Sequence, residues 1–244
     1  MPDNQFGNYE LFEDFIGVSD PLNSLLVPAP IGKLTAVGQG GADTDSGAIP
    51  IAGGGVRLTT TNETEHTYAV ETNPIFVASR GTMDAEARVQ FENLDTKSAF
   101  FGFTDIAIAG SVPSLETDLI TGTTTTLTLT ASDMCGFYLS SELTDDEDWH
   151  GVYNGGSTAG ETVSTSVDLN ADAVAGEWQD LRVEVDPDGT ARWYVNGDIK
   201  QTVAGAVSTS ANLKVMCGVE AKGAAIETLD LAHFYVNAPR PMAA

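Results

Sequence analysis

The stretch from Gly176 to Val203 (GEWQDLRVEVDPDGTARWYVNGDIKQTV) constrains the fold more than any other part of the chain. Leu181, Val183 and Val185 alternate with Arg182, Glu184 and Asp186, the period-2 pattern of a strand with one face buried. Asp186-Pro187-Asp188-Gly189 then supplies a turn, because Pro presets φ and Gly accepts positive φ. Ala191 to Val195 returns as a second strand. Asn196-Gly197 suits a type I′ hairpin turn, whose two central residues need positive φ, and Ile199 to Val203 forms the third strand. A two-residue turn there pairs Val195 with Asp198 and sets Tyr194 beside Ile199. That register groups Arg192, Tyr194, Ile199 and Gln201 on one side, and Trp193, Val195, Asp198 and Lys200 on the other. Neither side is cleanly apolar, which leaves two options: both faces partly covered, or a bulge that resets the register.

The same alternation recurs along the 244 residues. From Gly81 to Asn93, Met83, Ala85, Ala87, Val89 and Phe91 face one way, and Asp84, Glu86, Arg88, Gln90 and Glu92 the other. Strands are also predicted at 9–16, 56–61, 67–71, 98–108, within 123–141, and at 149–154, 161–169, 213–220 and 228–236. The aromatic-rich segment 98–108 reads as covered on both faces. The best helical candidates, Leu22 to Val27 and Asn170 to Val174, are one or two turns at most. Short strands, with ten Pro and 25 Gly spread between them, predict an all-β, two-sheet antiparallel sandwich. We expect a single domain over 1–244, with a Gly/Pro-rich excursion at 28–55 and short terminal arms.

Thirty-five acidic residues against eleven basic ones give a formal net charge of −24, and no Lys or Arg falls between Ser98 and Leu181. Nucleic-acid binding is excluded on this ground, since it needs clustered cations. Attachment to an anionic membrane is disfavoured for the same reason. No apolar run approaches the roughly 18 residues of a membrane span. The opening Met-Pro-Asp-Asn-Gln-Phe-Gly has no signal-peptide character, so synthesis in a cytoplasm is expected. Cys135 and Cys217 are expected as buried free thiols.

The strand Trp178-x-x-Leu181-x-Val183-x-Val185, the Asp-Gly turn, Trp193-Tyr194-Val195-Asn196-Gly197 and the apolar segment from Leu229 to Val236 resemble the C-terminal half of concanavalin A-like jelly rolls. Phe101-Gly102-Phe103-Thr104-Asp105, the run from Ala131 to Tyr138, and Asp146-x-Asp148-Trp149-His150-Gly151-Val152 are similar to virion proteins of tailed bacteriophages. That resemblance implies a non-enzymatic protein decorating or cementing a capsid exterior. Its implied partners are a major capsid protein and further copies of itself.

Laminarinase-type glycosidases on this fold carry a Glu-x-Asp-x-x-Glu strand, which places two carboxylates about 5 Å apart. Here Asp84-x-Glu86 is followed by Val89 where the second glutamate belongs, and Glu184-x-Asp186 runs into Pro187. No catalytic residue is therefore assigned. Asp43-Thr44-Asp45-Ser46-Gly47 resembles a calcium loop, but Gly54 stands where the closing Glu belongs. Asp145-Asp146-Glu147-Asp148 points alternately to opposite sides if extended. Neither metal nor cofactor is expected. Carbohydrate binding is the first rival reading, with Trp149, His150 and Tyr153 as a cluster that would stack on a sugar ring; a divergent glycan-cleaving enzyme is the second. Capsid attachment would use Leu25, Leu26, Val27, Ile31, Ile49 and Ile51, for which the sequence offers no obvious strand.

Overall fold

The computed structural model describes residues 8–15, 29–31, 33–38, 47–52, 54–73, 76–106 and 114–239. Its first half holds β1 (Asn8–Glu13), β2 (Ala29–Ile31), β3 (Leu34–Gly38), β4 (Gly47–Pro50), β5 (Val56–Thr59), β6 (Thr67–Glu71), β7 (Met83–Gln90) and β8 (Lys97–Thr104). A single helical turn, α1 (Leu115–Asp118), precedes β9 (Ile120–Thr123), β10 (Thr126–Leu129), β11 (Met134–Ser140) and β12 (Asp148–Asn154). Then come β13 (Asp168–Asp172), β14 (Gln179–Val185), β15 (Ala191–Val195), β16 (Asp198–Val203), β17 (Lys214–Ala221) and β18 (Thr228–Pro239).

Two eight-stranded antiparallel sheets face each other. One runs β16-β15-β14-β7-β18-β5-β4, with β1 paired to the C-terminal half of β18. The other runs β13-β12-β11-β8-β17-β6-β3-β2. Buried side chains from both inner faces form one continuous core. Phe101 of one sheet meets Phe234 of the other edge to face, and Trp149 packs on both Phe91 and Phe137. Rings arranged this way add to plain area burial. Within the core, Lys97 and Glu227 lie 2.8 Å apart, neutralising each other where a lone charge would be costly.

The two outer faces differ. In β7, β14 and β15 every second residue is buried and the next is not, so the first sheet has one wet face. In β8, β11 and β17 every residue is buried, so the second sheet is covered on both sides. Its cover is the α1-β9-β10 segment. Leu115 N–H donates to Thr67 Oγ1, while the Ser114 hydroxyl and Glu116 N–H both donate to the buried carboxylate of Glu220. Lys222, itself buried, ties Glu220 to Glu116 and Glu142. Burial disfavours its charge, yet these carboxylates hold its pKa above the ordinary lysine value. We call the two sheets open and covered.

The excursion at 28–55 carries strands: β2 and β3 extend the covered sheet and β4 the open one. Asn170 to Asp172, expected as part of a helical turn, belongs to β13, while Leu22 to Val27 lies outside the described residues. The meander resolves by the bulge option. Val195 pairs with Asp198 and Tyr194 with Ile199, but Trp193 pairs with Gln201, so Lys200 is the extra residue. Its turn has the expected geometry, with φ of 53° at Asn196 and 86° at Gly197. Cys135 and Cys217 are buried and free. They sit on β11 and β17, one on either side of β8, so two strand spacings, about 9–10 Å, separate them at the least, too far to bridge.

Candidate functional site

The open face is built from the outward positions of the alternating strands. Register places one residue from each of six neighbouring strands in a single row: Ile199, Tyr194, Arg182, Glu86, Tyr235 and Phe12. Among the described residues, the two most exposed large apolar side chains are Ile199 and Phe12, at 54% and 48%, one at each end of this row. The Arg182 guanidinium lies 4.9 Å from the centroid of the Tyr194 ring. Phe12 stacks on His233, with centroids 6.1 Å apart. Beside Tyr194 the surface dips into a depression of about 300 Å³, lined by Glu86, Asp180, Arg182, Tyr194, Asn196 and Gly197.

Most arginines on this face are closely paired with carboxylates. Arg182 donates to Asp84 at 2.7 Å and to Glu184 at 2.8 Å; Arg192 bridges Glu184 and Asp186. Arg57 grips Asp230 through two bonds. Burial pushes the Asp84 carboxyl upward, against the pull of Arg182. Glu86 moves the other way, because a hydrogen bond with His233 at 3.1 Å favours its charged form. Asn196 clamps the rim, exchanging a bond from Asp180 N–H to its Oδ1 with one from its own N–H to the Asp180 carbonyl. The arrangement offers hydroxyl-sized donors and acceptors next to a half-exposed ring.

The cluster of Trp149, His150 and Tyr153 expected from the sequence proves not to be a surface, and the reason is the covered sheet. Trp149 and Tyr153 are 1% and 4% exposed and point into the core, where Trp149 donates to Gln179 Oε1 and Tyr153 packs on Trp193. His150 points to the opposite side of β12 and is fully buried there too. Burial lowers its pKa, partly offset by Asp168. These three residues share no site for a sugar. Trp178, just before β14, is half-buried with the Arg88 guanidinium 6.0 Å from its ring centroid.

Of the attachment candidates, Leu25, Leu26 and Val27 lie outside the described residues, as does Asp43 to Ser46 of the calcium-like loop. Ile31 and Ile49 fall in β2 and β4, whose backbones are paired, which corrects the expectation that no strand holds them. Ile51 is half-buried. A second depression, near Asp95, Glu147 and Asp172, is acidic. Close by, Asp148 is pushed up to about 7 by burial and by its hydrogen bond with Asp172, with Asp168 and Asp145 adding to the shift. Among the described residues, no three His, Cys, Asp or Glu side chains converge as a metal site.

The residues of the open row are hidden in plain alternation. Arg182, Glu86 and Tyr194 sit at polar positions of amphipathic strands, and nothing local marks them apart from Glu184 or Arg192. Only the register between strands distant in sequence aligns them.

No family model and no curated protein matches the chain. Solved structures do. A protein of unknown function from Shewanella oneidensis MR-1 superposes with a TM-score of 0.61 at 9% identity, covering 97% of this chain and 89% of that one. The Emp46p carbohydrate recognition domain in its metal-free form gives 0.56 at 10% identity, with 93% and 97% covered. A Bacillus licheniformis β-glucanase gives 0.54 at 13%, again with 93% and 97% covered. The fold is a concanavalin A-like lectin/glucanase sandwich. The expected likeness to phage virion proteins has no counterpart among these three structures.

Proposed function

We propose that this protein is a non-catalytic carbohydrate-binding sandwich whose open face, centred on Tyr194, receives the glycan. The observation that carries this reading is the depression in which the Tyr194 ring, the Arg182 guanidinium, the Glu86 and Asp180 carboxylates and the Asn196 amide converge on an uncovered sheet. Sugar recognition needs an apolar ring face beside fixed donors and acceptors, and these residues provide both. The likeness in fold to a carbohydrate recognition domain is in keeping with it. This reading replaces the capsid-decoration expectation, which rests on sequence resemblance alone.

The non-catalytic part has its own support. Register puts Met134, Gly136, Tyr138 and Ser140 on the outward side of β11 in the covered sheet, none of them a carboxylate. Glu220 on that face is buried under α1 and saturated with donors. On the open face, the hydrogen bond with His233 holds the Glu86 carboxyl below its ordinary range, and Asp84, though pushed upward by burial, is bound by Arg182 at 2.7 Å.

A glycan array probed with the parent and with Tyr194→Ala, together with a reducing-sugar assay on every bound glycan, tests the proposal. Binding that disappears in Tyr194→Ala without sugar release supports it. Sugar release by the parent, or an array that stays blank, overturns it.

A further inference from the structure

We propose that the ligand of the open face is a neutral, extended oligosaccharide lying across the strands, with a second contact zone at Tyr235 and Phe12. This rests on the glycan-binding reading above and adds the ligand class and footprint. The row from Ile199 to Phe12 crosses six adjacent strands. At about 4.8 Å per strand its length is about 24 Å, far more than one sugar ring occupies. Aromatic rings recur along it, at Tyr194 and again at Tyr235 and Phe12, with the Arg182–Glu86 pair between them. Both ends are open, since Ile199 and Phe12 are, among the described residues, the large apolar side chains most exposed. A site for a chain terminus would be walled at one end; among the described residues, this row runs out to solvent at both.

Charge selects the class. Three of the arginines of this face are held closely, Arg182 by Asp84 and Glu184, Arg192 by Glu184 and Asp186, Arg57 by Asp230 and Glu92, while Arg88 lies 3.9 Å from Asp180 and over the Trp178 ring. A uronate or sulfate would have to displace a carboxylate from a guanidinium while approaching a chain of net charge −24. An amino sugar would find most carboxylates of this face already taken, Asp84, Glu184, Asp186 and Asp230 by arginine and Glu86 by its hydrogen bond with His233. Uncharged hydroxyls incur neither cost, and the paired groups still have lone pairs and N–H bonds to offer them.

The experiment is titration calorimetry on the full chain. The probes are neutral glucose-, mannose- and N-acetylglucosamine-based oligosaccharides from disaccharide to hexasaccharide, with oligogalacturonate, heparin and chitosan oligomers of matching length. Affinity for one neutral series should rise about tenfold or more with chain length and change little with added salt. Tyr235→Ala should lower hexasaccharide affinity about tenfold, leave the disaccharide unaffected and keep the parent's melting temperature; Tyr235→Phe should restore it. Affinity that stops rising at the disaccharide, or indifference to Tyr235→Ala, overturns the extended footprint while the Tyr194 site stands. Tighter binding of any charged series, or a steep salt dependence, overturns the neutral class. If no oligosaccharide binds, the glycan-binding reading itself falls, and this inference with it.

Discussion

Phe103 is fully buried on β8, packed edge to face against Phe76. Truncation to Ala is expected to cost roughly 3–5 kcal/mol by denaturant unfolding, because the rigid inter-sheet layer closes poorly over the space left. Lys222 holds its place differently. Its side chain is buried against Glu220, Glu116 and Glu142, so Lys222→Ala leaves carboxylates without their cation. A loss of about 3–5 kcal/mol is expected, with part regained in a Lys222→Met, Glu220→Gln double variant. No recovery in the double variant would show that packing of the lysine stem, rather than charge, is what holds the cover down.

Among elements, the Asn196-Gly197 turn joins fold to site. Asn196 holds positive φ and clamps Asp180 through both backbone and side chain, so Asn196→Ala should cost about 1–2 kcal/mol in chemical denaturation. Glycan affinity should fall with it. The β12–β13 pair carries a proton-linked contact. Asp148 has a folded pKa raised to about 7, so its contribution favours the native state at low pH and is lost as pH rises from about 4 through about 7. Melting curves across that window should show the parent losing stability relative to Asp148→Asn as pH increases; parallel curves would mean the Asp148–Asp172 contact is absent in solution. These elements also mark how far the sequence can be read. β7 and β14 are legible because one face is wet and alternation survives. The Trp149-His150-Tyr153 run misleads because a doubly covered strand loses that alternation, so buried rings look like available ones. The Lys200 bulge is one of two options the sequence leaves open, since local pattern alone cannot choose between a shifted register and a covered face. The candidate site is the least legible part, because β1, β7, β14, β15, β16 and β18 come together largely through long-range pairing.

For the whole molecule, a net charge of −24 repels itself in the compact state more than in the expanded one. Added sodium chloride should therefore raise the thermal midpoint by screening; a midpoint that falls or stays level would mean that the local ion pairs outweigh this repulsion. The two cysteines give a readout of a different kind. Burial raises both thiol pKa values and takes both sulfurs out of reach of reagents, on strands that bracket β8 at the centre of the covered sheet. Each is then a stopwatch for its own flank of the sandwich. Labelling of Cys135 and Cys217 at one shared, slow rate would mean the two flanks open as a single cooperative unit, whereas two rates would divide the protein into separately opening halves along β8.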